Sequence, residues 1–194
     1  MRYWRLRLIL EFSSNGRVNM KNIFKTSLLI MALSIMMTSC DHPSPTEYPL
    51  EPDENFAILF AYGSCAVDIM DTFNLTFTKE ITPESDVSGH FELSREEMKS
   101  IYQKMVEINF FNYPDKFSVP ISKNDVVGSV SPAMGYRIIV RNGETMKYLF
   151  WSDSIIDPTS EEADHLRELF QLIINIIEEK PAYKELPDRE FRCM

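Results

Sequence analysis

Hydrophobic and polar residues change their period several times along this chain, and each change marks an element. Leu28 to Met37 is an apolar run broken only by Ser34 and preceded by Lys21 and Lys25. Phe56 to Tyr62 is a second short apolar run, the pattern of a buried strand. Thr72, Asn74, Thr76 and Thr78 then alternate with Phe73, Leu75 and Phe77, and a period of two predicts an antiparallel strand with one wet face. Gly63 to Asp71 is read as the connection between these strands, and His90 to Leu93 as a further short strand.

At Ser94 the period lengthens. Glu97 stands three residues on, as a capping box requires, and Met98, Ile101, Tyr102, Met105 and Ile108 recur at helical spacing. Pro114 biases Tyr113 away from helical backbone, so the helix should fail by Asn112. Periodicity lapses from Asp115 to Pro132, which reads as a long loop. Tyr136 to Arg141 and Glu144 to Trp151 then flank Asn142-Gly143, the residues of a type I′ turn, predicting a two-residue hairpin. Thr159 and Glu162 form a second capping box before the wide apolar stripe Leu166, Leu169, Phe170, Ile173, Ile176 and Ile177, and Pro181 ends that helix. Two hairpins, a short strand and two helices give an α+β domain over residues 55–182: an antiparallel sheet of about five strands with two helices on one face. Residues 183–194 read as a polar tail.

The hairpin also divides its residues between two faces. With Arg141 opposite Glu144, Tyr136, Ile138, Val140, Leu149 and Trp151 share the face suited to a core. Ile139, Met146, Tyr148 and Phe150 share the other with Arg137 and Arg141. Arg137, Arg141 and Tyr148 are therefore the candidate binding face, for an anionic or planar partner. The competing reading is that the arginine stems merely cover a half-exposed sheet face.

Candidate chemistry elsewhere is sparse. His165 lies one helical turn from Glu161 and Glu168, a set that reads as a solvated charged face rather than a zinc site. Asp153, Ser154 and Asp157 offer oxygen ligands but lack the glycine and distal glutamate of a calcium loop. The aromatic Phe110-Phe111-Asn112-Tyr113-Pro114 run resembles a sugar-stacking patch, although aromatics at a helix end more often belong to a core. No nucleophile elbow and no glycine-rich phosphate loop is present, so neither catalysis nor a cofactor or metal is expected.

Composition changes meaning with the leader. Met20 to Cys40 reads MKNIFKTSLLIMALSIMMTSC, a charged start and then an apolar run about half the roughly 20 residues a transmembrane helix needs. Its end, Met37-Thr38-Ser39-Cys40, resembles the lipobox of bacterial lipoproteins. The resemblance implies cleavage after Ser39, lipid on Cys40, stable membrane anchoring by several acyl chains, and a location in the cell envelope facing the periplasm or the cell surface. Residues 1–19 fit no part of a signal, which makes Met20 the expected start within a signal region of 1–39. Six of the 20 basic and one of the 29 acidic residues lie before Cys40, leaving 14 against 28 and a mature charge near −14. Such a chain is unsuited to nucleic acid. Residues 40–54, with four prolines, read as an extended acidic linker.

Setting Cys40 aside leaves Cys65 and Cys193, an even pair that can close a disulfide outside the cytoplasm or remain two thiols. From FAYGSC (Phe60–Cys65) to AYKELP (Ala182–Pro187) the globular part resembles small domains of unknown function in envelope lipoproteins. The expected function is a non-catalytic binding module for an unknown protein or small ligand. A structural or inhibitor-like envelope component is the alternative, and a hydrolase comes third.

Overall fold

Strands β1 (Ala57–Gly63), β2 (Asp68–Asp71), β3 (Thr76–Thr82), β4 (Ser85–His90), β5 (Gly128–Asn142) and β6 (Thr145–Ile156) form one antiparallel sheet ordered β4-β3-β2-β1-β5-β6. Among the described residues, two long helices, α1 (Arg95–Glu107) and α2 (Glu161–Glu179), are followed by the single turn α3 (Pro181–Lys184). This computed structural model describes residues 48–64, 67–83, 85–121, 127–156 and 160–190. The fold is α+β. No helix among the described residues is long and apolar enough to cross a membrane.

Alternation along the strands decides which sheet face is buried. Ile58, Phe60 and Tyr62 of β1 lie opposite Val140, Ile138 and Tyr136 of β5, and Ile138 and Tyr136 lie opposite Leu149 and Trp151 of β6. Together with Met70 and Phe77 they meet Ile101, Tyr102 and Met105 of α1 and Leu166, Phe170, Ile173 and Ile177 of α2 in one core. Phe170 is central to it, stacked on Tyr136 at 4.6 Å between ring centroids and 5.3 Å from Phe60. Both long helices therefore cover one sheet face.

The helix ends follow local chemistry. Ser94 Oγ accepts from the Glu97 N–H at 3.2 Å while Glu97 Oε2 accepts from the Ser94 N–H at 2.7 Å, completing the capping box. Helix α1 stops at Glu107, before the expected limit, because Asn109 takes the left-handed conformation (φ 58°, ψ 37°) that ends helices. Phe110–Asn112 continues as a separate 3-10 turn. The cap of α2 is Ser160, whose Oγ accepts from the Ala163 N–H at 3.4 Å; Thr159 lies outside the described residues.

Several strand limits differ from the sequence reading. Thr72–Leu75 is a turn, since Asp71 Oδ1 accepts from the Phe73 and Asn74 N–H groups at 2.8 and 3.2 Å and Leu75 adopts φ 55°. The connection after Gly63 contains β2, and the short strand expected at His90–Leu93 is β4, ending at His90. Within the expected loop, Asp115–Phe117 adds to the free edge of β6: the Phe150 N–H donates to Asp115 O at 2.8 Å and the Phe117 N–H to Phe150 O at 2.9 Å. Strand β5 already begins at Gly128.

The hairpin turn also moves. Asn142 pairs with Thr145 and Arg141 with Met146, so the central residues are Gly143 and Glu144. Gly143 alone supplies the positive φ (+61°), at the first central position, as in a type II′ turn. Asn142 is held in the strand because its Oδ1 accepts from the Asp53 N–H at 2.9 Å, and Asn55 Oδ1 accepts from the Gly143 N–H at 2.9 Å. Each β5 residue thus pairs two positions further along β6 than the sequence reading has it. A shift of two preserves the faces.

Tyr48 to Glu54, the end of the expected linker, contacts the domain. Tyr48 packs 4.7 Å from the Phe111 ring, Leu50 O accepts from Gln103 Nε2, and Glu51 pairs with Lys99. The tail is tethered as well: Tyr183 meets Phe77 edge-on at 5.4 Å, and the Glu190 N–H donates to Ile81 O at 3.1 Å.

Candidate functional site

The face of the sheet turned away from the helices is made by the residues that alternate with the core. Reading across opposed pairs, Ile69, Ala61, Arg137 and Phe150 form one row, and Asp71, Leu59, Ile139 and Tyr148 the next. A third row sets Ala57 beside Arg141 and Met146. Towards β4 this face turns polar, with Thr76, Thr78, Ser88 and His90. Its β5-β6 end is apolar and open: Met146, Tyr148 and Phe150 are 42%, 49% and 48% exposed.

The two arginines play different parts. Arg141 lies 4.9 Å over the Phe73 ring and its Nε donates to Asn55 O at 2.9 Å, so it holds the start of β1 and covers an aromatic. That is the covering role of an arginine stem. Arg137, opposite Phe150 and Ala61, is exposed and has no ion pair or hydrogen bond among the described residues. Arg137, Tyr148, Phe150 and Met146 thus form an apolar surface with one uncompensated cation. A guanidinium over aromatic surface engages carboxylates or planar groups while its stem stays in apolar contact. Phe150 is held from both sides, paired with Arg137 on β5 and with the Asp115–Phe117 segment at its outer edge.

Cys40, Cys65 and Cys193 lie outside the described residues, as does Asp157. The oxygen cluster after β6 does not assemble for a cation. Both Asp153 oxygens are taken by Arg167, at 2.8 Å from Nε and 2.7 Å from Nη2, and the guanidinium lies 5.3 Å over the Trp151 ring. No group of three His, Cys, Asp or Glu side chains able to hold a metal occurs among the described residues, and Glu168 is paired with Lys104 at 2.8 Å.

One polar group of the interior escapes sequence reading. Asp68 is 4% exposed on the core side of β2, directly opposite Tyr62, and Arg189 of the tail reaches it at 2.6 Å. Burial pushes the Asp68 carboxyl above its ordinary pKa despite the opposing Arg189 charge. The Tyr62 phenol, buried beside it and without a hydrogen-bond partner among the described residues, is pushed up by burial and then by the Asp68 charge. The only sequence signal is a lone aspartate within the apolar stretch Val67–Met70. Its partner lies 121 residues away in the polar tail.

Compared with known proteins, the chain matches no family model and no curated protein.

Proposed function

We propose that this chain is a lipid-anchored lipoprotein of the bacterial cell envelope whose folded domain is a non-catalytic binding module. The lipid sits on Cys40, as the likeness of Met37–Cys40 to a lipobox implies, and the domain faces the periplasm or the cell surface. The sheet face around Arg137, Tyr148 and Phe150 is its binding surface. One observation supports this above the others: three large side chains of a single strand, Met146, Tyr148 and Phe150, stand more than two-fifths exposed beside an unpaired guanidinium. A monomeric domain with no partner gains nothing from leaving that contiguous area wet. Exposed aromatic and methionine side chains beside an arginine are the residue types enriched where proteins meet, which favours a protein partner over a small ligand. The guanidinium favours a partner that is acidic where it meets Arg137.

Photo-crosslinking in cells tests the reading. A photoreactive amino acid at position 148 should give a discrete adduct with one partner, lost when Arg137→Glu is added. The same group at Gln171, exposed on α2, should give none. Equal adducts from both positions, or none from 148, would remove the binding face. The anchor is tested separately by labelling with radioactive palmitate, which should mark the parent and leave Cys40→Ser unlabelled.

A further inference from the structure

Where α1 ends, the chain forms a cleft of about 420 Å³ against the first turns of α2. That is within the roughly 300–1,000 Å³ typical of small-ligand sites. Its deep wall is apolar, made by Ile108, Phe117 and the half-buried Tyr113, with Pro114 and Pro120 at the rim. The walls are fixed to each other, since Tyr113 Oη donates to Glu162 O at 3.1 Å and the Phe117 ring packs edge-on against Trp151 at 5.2 Å.

The polar groups along this cleft are neutral or balanced in charge. Asn112 Nδ2 donates to Asn109 Oδ1 at 2.6 Å. That single bond uses one donor and one acceptor, so among the described residues the bonded amide pair keeps the Asn109 NH2 as a donor and the Asn112 carbonyl as an acceptor. Both residues are exposed, and Asn109 has a left-handed backbone. His165 adds an exposed imidazole from α2 with no hydrogen bond among the described residues, and Ser118 adds a hydroxyl. Lys116 and Glu162 are the charged residues of the lining and have opposite signs, so no ionic ligand is favoured.

From this arrangement we infer that the cleft binds the ring of an uncharged sugar. A pyranose has an apolar C–H face, which suits the Tyr113 side, and vicinal hydroxyls that both donate and accept. Two mutually bonded amides that keep one NH2 and one carbonyl between them can both donate to and accept from such hydroxyls. The inference uses residues separate from the sheet face and stands or falls independently of it.

The test is an NMR titration of the full ¹⁵N-labelled chain in detergent with glucose, mannose and N-acetylglucosamine, and with glycerol as a polyol control. At least one sugar should give saturable shifts centred on Asn109, Asn112 and Tyr113, with a Kd of roughly 0.1–10 mM. Asn112→Ala should weaken that binding about fivefold, the factor expected for one lost hydrogen bond. If Asn112→Ala disturbs the whole spectrum, His165→Ala, on an exposed position of a different element, serves instead and should weaken binding similarly. The inference is overturned if no sugar saturates, if glycerol reproduces the shifts, or if a folded variant binds as tightly as the parent.

Discussion

Replacing Phe170 with alanine and, separately, Tyr148 with alanine measures the difference between the two faces of the sheet. Phe170 is fully buried, its ring stacked on Tyr136 at 4.6 Å and lying 5.3 Å from Phe60 and 6.3 Å from Trp151. Truncating such a residue loses its transfer free energy and leaves a cavity, a cost of roughly 3–5 kcal/mol. That is a large part of the roughly 5–15 kcal/mol that separates folded from unfolded in a typical domain. Tyr148 is 49% exposed, and its loss should cost less than about 1 kcal/mol. In urea, with a slope near ~2 kcal/mol/M, Phe170→Ala should lower the midpoint by about 2 M and Tyr148→Ala by less than about 0.5 M. The readout is tryptophan fluorescence, since Trp151 adjoins the Phe170 site. Comparable shifts for the two variants would refute the assignment of faces, and with it the open surface on which the proposed function depends.

Three further outcomes follow from the ion pairs and cysteines. Burial pulls the Glu97 carboxyl up, but bonds from Lys180 at 2.5 Å and from the Ser94 N–H outweigh it and hold the pKa below its ordinary value. That stability is present above the unfolded pKa and lost as pH falls through the folded one, so Glu97→Gln should flatten the fall in urea midpoint between roughly pH 5 and pH 3. Asp68 has the opposite sign: its raised pKa means the folded state holds the proton longer, so its contribution falls as pH rises through the unfolded and then the folded value. Arg189→Ala should steepen that fall and cost roughly 1–3 kcal/mol at neutral pH, whereas Arg189→Ala with Asp68→Asn should recover much of it, both read from urea midpoints. Cys65 and Cys193, if they pair, would leave no alkylatable thiol before reduction, and Cys193→Ser would then cost up to about 5 kcal/mol in the chain-entropy limit; two alkylatable thiols would show that they do not pair.

The parts of the fold legible from sequence were those whose cause is local. The Ser94–Glu97 box and the apolar stripe of α2 depend on neighbours within one or two turns, and both stand where their spacing puts them. The face division of β5 and β6 was legible because an even shift in register keeps every side chain on its side. The register itself was not, since Asn142 is retained in the strand by Asp53, 89 residues away in sequence. The run Thr72–Thr78 misled because threonine alternation favours a strand, while Asp71 captures the next two N–H groups and turns the chain first. Of the candidate binding residues, Tyr148 and Arg137 stand on the open face, whereas Arg141 serves the start of β1 through Asn55 and Phe73. Nothing adjacent in sequence separates the two arginines; their roles are set by what lies across the sheet.

On the proposed function, the Met146–Phe150 face is covered by a partner in the envelope. Hydroxyl-radical footprinting of the intact envelope against the purified protein tests it most directly. Met146, Tyr148 and Phe150 should be oxidised in the purified protein and protected in the envelope, while Val67 and Ile156, 46% and 56% exposed, should react alike in both. Equal oxidation of Met146, Tyr148 and Phe150 in the two states would contradict the claim.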